Sequence, residues 1–179
     1  MKISDVLIAE LEQEAHATRR VLQRVPQAKL SWKPHARSMS LGQLALHVAT
    51  IPGNVAALVT NDTVPEPPAF IQPEATTSAE LVPALEASLA QARSIVAGFD
   101  DARMNATWRL LYDGTELMAL PRAAMLRMVM LNHWYHHRGQ LLVYLRMHDV
   151  PLPSVYGPTA DENPFAAAMP ANRTRMNVT

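Results

Sequence analysis

The 179-residue sequence contains no cysteine. Disulfides and cysteine-ligated metal are therefore excluded, and any thiol chemistry needs a thiol from outside the chain. Neither sign of charge is in excess. Lys plus Arg and Asp plus Glu number 16 each, giving a formal net charge of zero, and no long basic run occurs. A nucleic-acid surface needs a clustered positive stripe to neutralise phosphates, so no nucleic-acid partner is expected. No stretch of 18 apolar residues is present, and "MKISDVLIAELEQEAH" carries acids where a signal peptide needs an apolar core. The reading is a cytoplasmic protein with no membrane partner. Glycine is scarce, at 6 residues, and aromatics make up only 6%. The 49% hydrophobic content rests on Leu, Ala, Val and Met arranged in long periods. This favours an all-α protein. The length suits one domain with a single core, expected over 1–165, with 166–179 a loosely held tail.

Helical spacing of Val6, Leu7, Leu11, Ala15, Thr18 and Leu22 predicts a first helix over 4–24. Ser40 followed by Gln43 is a capping box opening a second helix through "LGQLALHVATIPGNVAALVT". Pro52 removes one backbone donor there and is expected to kink it. The proline-rich "NDTVPEPPAFIQPEAT" reads as loop. Thr77 and Glu80 repeat the capping signature ahead of a third helix over 78–98. Asp113-Gly114 between apolar runs is a hairpin signal, the one place where strands are expected. Pro121 then opens a fourth helix reaching about residue 148, stopped by Pro151 and Pro153. Four helices with short to medium connections point to an up-down four-helix bundle, with room for a short hairpin before the last helix.

Three of the seven histidines crowd into "LNHWYHHRGQLLVYLR". At about 100° per residue, His133 and His137 share one face of the fourth helix with Leu126, Met130, Gln140 and Tyr144. Leu126 and Met130 should face the core, so both histidines should point inward. His136 is rotated by about 100° from His137 and is the second choice as partner of His133. His-x-x-x-His on a helix is the spacing at which two imidazoles bind one metal ion. It also fits two core-edge histidines bonded to backbone or to Gln140. In the second helix, Leu44, His47, Val48, Ile51 and Val55 form an apolar stripe that brings His47 inward too. Three inward imidazoles are hard to satisfy with backbone groups already used in helices, whereas a divalent cation accepts all three lone pairs. Three neutral ligands leave an open position, which could hold water with its pKa lowered toward ~7, or a thiolate. Imidazole donors suit zinc, nickel, iron or copper. Zinc and nickel lead among these expectations.

"LSWKPHARSMSLGQLALHVATIPGN", "LNHWYHHRGQLLVYLR" and "PLPSVYGPTADE" resemble the DinB family, in the right order and over roughly 1–165. The resemblance implies a four-helix bundle with a three-histidine metal site, often dimeric. By position its ligands are His47, His133 and His137. The wider superfamily includes metal-dependent thiol transferases and isomerases that use low-molecular-weight thiols such as mycothiol or bacillithiol. The resemblance thus implies a hydrolase or thiol S-transferase acting on a small molecule, and a homodimer. The alternative is a non-catalytic metal-binding stress-response protein or a dimeric interaction module.

Three further residues are weak catalytic candidates. Gln140, on the inward stripe, could orient a ligand. Tyr156 and Asp161 could move a proton if the tail folds over the site, although Thr159 and Glu162 also read as the capping box of a short helix with Asp161 in its first turn. Arg138 turns away from the stripe toward a carboxylate elsewhere. Gly139 suggests a close helix approach. His16, His35 and His148 read as surface or loop residues.

Overall fold

The computed structural model describes residues 1–69 and 71–168. Helix α1 spans Ile3–Leu22 and buries Leu7, Leu11, Ala15 and Leu22. Helix α2 spans Leu41–Leu58 and α3 spans Leu81–Ala97. A short α4, Asp101–Asn105, is capped by the Asp100 carboxylate accepting from the Arg103 amide at 2.7 Å. The last long helix, α5, is three segments in direct succession: α-helical Arg122–Met125, π-helical Leu126–Asn132 and α-helical His133–Arg146. Helix α2 packs against α3 and α5, and α1 packs against α3.

The protein is mostly helical rather than all-α. Strands β1 (Thr63–Val64), β2 (Thr107–Tyr112) and β3 (Thr115–Pro121) form a sheet in that order. The hairpin expected at Asp113-Gly114 is present. Both turn residues have positive φ, 48° and 73°, as a tight turn between twisted antiparallel strands requires. Strand β1 corrects the loop expected over 61–76. It pairs in parallel with β2, a long-range contact that proline content cannot announce. The 166–179 tail lies largely outside the described residues; Ala166–Ala168 forms one 3-10 turn.

Local chemistry sets the element ends. Ser40 Oγ accepts from the Gln43 amide at 3.1 Å while Gln43 Oε1 accepts from the Ser40 amide at 2.9 Å, satisfying two orphan donors at the start of α2. Glu80 reaches back to the Thr77 amide at 3.0 Å, closing a 3-10 turn, Ser78–Glu80, that runs into α3. Thr159 and Glu162 do not start a helix. Thr159 Oγ1 accepts from the Glu162 amide at 3.0 Å, and the Glu162 carboxylate pairs with Arg20 instead.

Helix α2 continues through Pro52. Proline cannot donate to the carbonyl four residues back, Val48. That carbonyl instead accepts from Trp134 Nε1 at 2.8 Å, which fastens α5 to α2 one residue from His133. Next to it, Ser88 Oγ accepts from the Gly53 amide at 2.8 Å and donates to the Thr50 carbonyl at 3.1 Å, fastening α3 to α2. A Cβ on Gly53 would meet the Ser88 carbonyl and hydroxyl oxygens at 3.0 Å, besides the movable Gln91 Oε1 at 2.7 Å, so the close α2–α3 approach favours glycine. Gly139 has no such role, since a Cβ there would meet nothing within 4 Å.

The C-terminal carbonyls of α2 are satisfied from the sheet side. Trp108 Nε1 donates to the Leu58 carbonyl at 3.1 Å. The fully buried Arg122 donates to the Val59, Asn61 and Arg103 carbonyls and to the Asp62 carboxylate. Helix α2 has the length and mean hydropathy, 1.2, of a membrane span, and 61% of it is buried inside the fold. Its apolarity therefore goes with its place at the centre of the core.

Candidate metal centre

His47 comes from the middle of α2, and His133 and His137 come from successive turns at the start of the last segment of α5. The π-helical segment ends immediately before His133, so it sets the rotation at which both imidazoles leave the helix. The core stripe of that last segment is Trp134, Arg138, Leu141 and Leu145. The histidines flank it, half-buried, at the edge of the core rather than inside it.

One nitrogen from each of the three rings lies within 4.8 Å of the other two. His47 Nε2 and His133 Nε2 are 3.2 Å apart. Two nitrogens bound tetrahedrally to one zinc at ~2.0 Å would be about 3.3 Å apart, so this spacing fits a shared ion. Gln140 Oε1 lies 2.7 Å from His137 Nδ1. An amide oxygen only accepts, so Nδ1 carries the proton and the lone pair of His137 sits on Nε2. The three-histidine group could hold a divalent ion, and it includes no further ligand among the described residues.

Burial pushes His47 down to about 4, helped by the neighbouring His137 and His133 rings. Burial also pushes His137 down to about 4, against the Gln140 hydrogen bond and with the His133 and His136 rings. His133 is lowered by burial and by His136. Neutral imidazoles are the form a metal takes. In the ion-free protein, the unfolded chain binds protons near pH 6.5 that the folded histidines refuse until about 4. The unfolded state then holds more protons through that window, and stability falls as pH falls. With chelator present, the melting temperature is expected to drop steadily between about pH 7 and 5, above most carboxylate titration. The drop should be smaller in His47→Leu; equal slopes for both proteins would show that these rings are protonated in the fold.

The other candidates are placed differently. Gln140 is exposed, not on an inward face, yet it touches His137. Gln140→Leu is expected to weaken metal binding by about 10- to 100-fold. Competition against a chelating dye reads this, and the metal-free melting temperature should hardly move because the side chain is exposed. His136 is exposed beside His137 and is not one of the three. Tyr156 and Asp161 are not brought to the histidines. The Tyr156 hydroxyl donates to Glu14 at 2.8 Å and accepts from Arg138, while Asp161 pairs with Arg146 and accepts from the Leu152 amide. His148 lies in the turn after α5, as a loop residue, and is half-buried there with its ring 4.3 Å from that of Trp32.

A feature that periodicity did not reveal adjoins the centre. A cavity of about 430 Å³ has His47 and His133 in its wall, together with Val55 of α2, Leu110 and Met118 of the hairpin, and Val129 of the π-helical segment. The Asp113-Gly114 signal placed the hairpin but gave no hint that it walls the site.

Among solved structures, a DinB-like protein from Bacillus cereus ATCC 10987 superposes with a TM-score of 0.64 at 19% identity, covering 84% of this chain and 95% of that one. A DinB-like protein from Bacillus subtilis, YjoA, gives 0.64 at 19% identity, covering 83% and 96%. In sequence, the uncharacterized protein YrdA of Bacillus subtilis (strain 168) is 25% identical over 159 residues, 88% of this chain and 90% of its own length. The DinB family model matches residues 1–164, and the chain belongs to the DinB family.

Proposed function

We propose that this protein is a metal-dependent enzyme, a hydrolase or a low-molecular-weight-thiol S-transferase, built on an up-down four-helix bundle around a zinc or nickel centre held by His47, His133 and His137. The single observation behind this reading is the meeting of three neutral imidazoles, two of them 3.2 Å apart, with no carboxylate or fourth histidine closing the group among the described residues. A structural site is normally closed by four protein ligands, whereas a catalytic one keeps a position open. A divalent ion held there supplies Lewis acidity, which activates a coordinated water or thiol and polarises an electrophile. The chain's own residues supply the rest. Gln140 fixes the tautomer and orientation of His137. The adjoining cavity gives the centre a mainly apolar wall on one side. The lack of cysteine means that any thiol nucleophile enters as a cosubstrate. The proposal extends to a cytoplasmic homodimer.

Protein purified without a histidine tag is expected to carry about one first-row metal ion per chain. It should turn over a thiol and an electrophile, or a hydrolysable ester or amide, in a way abolished by chelator and restored by the ion. A bound ion with no turnover in either screen supports the non-catalytic metal-binding alternative. Absence of metal even after soaking with zinc or nickel overturns the proposal.

A further inference from the structure

Two other cavities among the described residues are lined with charge. One, of about 460 Å³, includes Glu14, Arg20 and Glu162. The other, of about 480 Å³, includes Asp62, Asp100, Arg103 and Arg122. The cavity beside the histidines differs in kind. Among its described lining residues there is no Lys, Arg, Asp or Glu. Its polar side chains besides the two histidines are Thr50, Asn54, Gln72 and the Trp108 indole, whose N–H already donates to the Leu58 carbonyl, and all four are uncharged. Thr50 already donates its hydroxyl to the Leu46 carbonyl and so is left as an acceptor.

From this we infer that the substrate body taken up beside the metal centre is an uncharged, mainly apolar molecule of about one or two rings, carrying a single polar reacting group. The inference rests on the metal-centre reading above and narrows it. At about 430 Å³ the cavity falls within the roughly 300–1,000 Å³ typical of small-molecule sites. Apolar walls with a few uncharged polar groups orient such a ligand and favour its transfer from water. A carboxylate or ammonium in the body of the cavity, away from the ion, would lose its hydration and find no opposite charge among the described lining residues. His47 and His133 belong both to the wall and to the metal group, so a ligand filling the cavity has one end against the centre. A charged cosubstrate, including any carboxylate-bearing thiol, must then reach the centre from outside the cavity, and the cavity holds the electrophile.

Met118 gives a direct test. It is half-buried on β3 opposite Leu110, so a longer or charged side chain there can be accommodated at the sheet surface while its tip changes the cavity wall. The probes are 4-phenylbutanohydroxamic acid and 6-carboxyhexanohydroxamic acid, which share a metal-binding head and differ in tail charge. Both are titrated calorimetrically into zinc-loaded protein. The phenyl probe is expected to bind about 10- to 100-fold more tightly than the carboxylate probe. Met118→Lys should shrink or reverse that ratio with zinc stoichiometry unchanged, and Met118→Leu should preserve it. Equal affinities in the parent, or a ratio indifferent to Met118→Lys, overturn the inference. Failure of the metal centre is told apart with 4-phenylbutanamide, which lacks the chelating head. The Trp108 indole lies in the cavity wall, so its fluorescence reports on occupancy. A response in metal-free protein that Met118→Lys abolishes supports the apolar cavity even if no zinc is held. No response from either form overturns it.

Discussion

His133→Ala is expected to bind zinc or nickel more than about 100-fold more weakly than the parent, beyond the range seen when only a ligand's hydrogen-bond partner is lost. His133 connects the group. Its Nε2 lies 3.2 Å from that of His47, and its ring centroid lies 4.4 Å from that of His137. Without it the remaining pair is a bidentate site spanning two helices. Linkage turns this into a thermal measurement. At a free-ion concentration of about 100 times the parent Kd, the parent gains about 2.7 kcal/mol and a 100-fold weaker variant about 0.4 kcal/mol. For a domain of this size that is a melting shift of roughly 5 to 10 °C against about 1 °C. The metal-free forms should melt close together, because removing a half-buried, proton-refusing imidazole relieves part of a desolvation cost while leaving only a small gap. Equal ion-induced shifts in parent and variant would sink the assignment of His133 as a ligand.

Parts of this architecture are written locally, and those were readable. Ser40 with Gln43, and Asp113 with Gly114, each fix a backbone transition through neighbours three residues apart or fewer. The meeting of His47 with His133 and His137 was readable because each lies beside an apolar helical stripe, and two such stripes in one small core must meet. The finer rotation was not readable. A straight α-helix through Leu126–Asn132 would turn the shared face of His133, His137 and Gln140 inward with Leu126 and Met130, whereas the observed helix is π-helical there, and that face lies at the edge of the core with Gln140 exposed. Such a segment depends on packing against other elements, and no residue in "LRMVMLN" announces it. The role of Trp134 in taking up the carbonyl freed by Pro52 depends on two helices 86 positions apart in sequence. The cavity is equally non-local. It is assembled from α2, the hairpin, the π-helical segment and the proline-rich stretch, and none of these is amphipathic in a way that marks a pocket.

Arg138→Met is expected to destabilise the fold by about 3–5 kcal/mol, the usual cost of removing one partner from a buried ion pair. Helix α5 is aligned against α1 through this side chain. Its guanidinium donates to Glu14 Oε2 at 2.6 Å, to the Glu14 carbonyl at 3.1 Å and to Thr18 Oγ1 at 3.0 Å. The two side chains are only 2% and 9% exposed, against 34% and 49% for the Arg19–Glu86 pair, which joins α1 to α3. The exposed pair contributes between nothing and about 1 kcal/mol. In the buried one, removing Arg138 leaves the Glu14 carboxylate desolvated with the Tyr156 hydroxyl as its remaining side-chain donor among the described residues. The guanidinium also lies 5.3 Å from the Tyr135 ring and 5.2 Å from the Tyr156 ring, so the C-terminal segment should loosen with it. A double-mutant cycle separates charge from packing. Glu14→Leu combined with Arg138→Met should recover much of the loss, since replacing both members of a buried pair by apolar groups is often close to neutral. The readout is chemical denaturation of the metal-free forms. A loss below about 1 kcal/mol in Arg138→Met would place the pair with the surface bridges, and α5 would then be held to α1 by its apolar stripe and by the contacts of Tyr135 and Arg127 with Glu10.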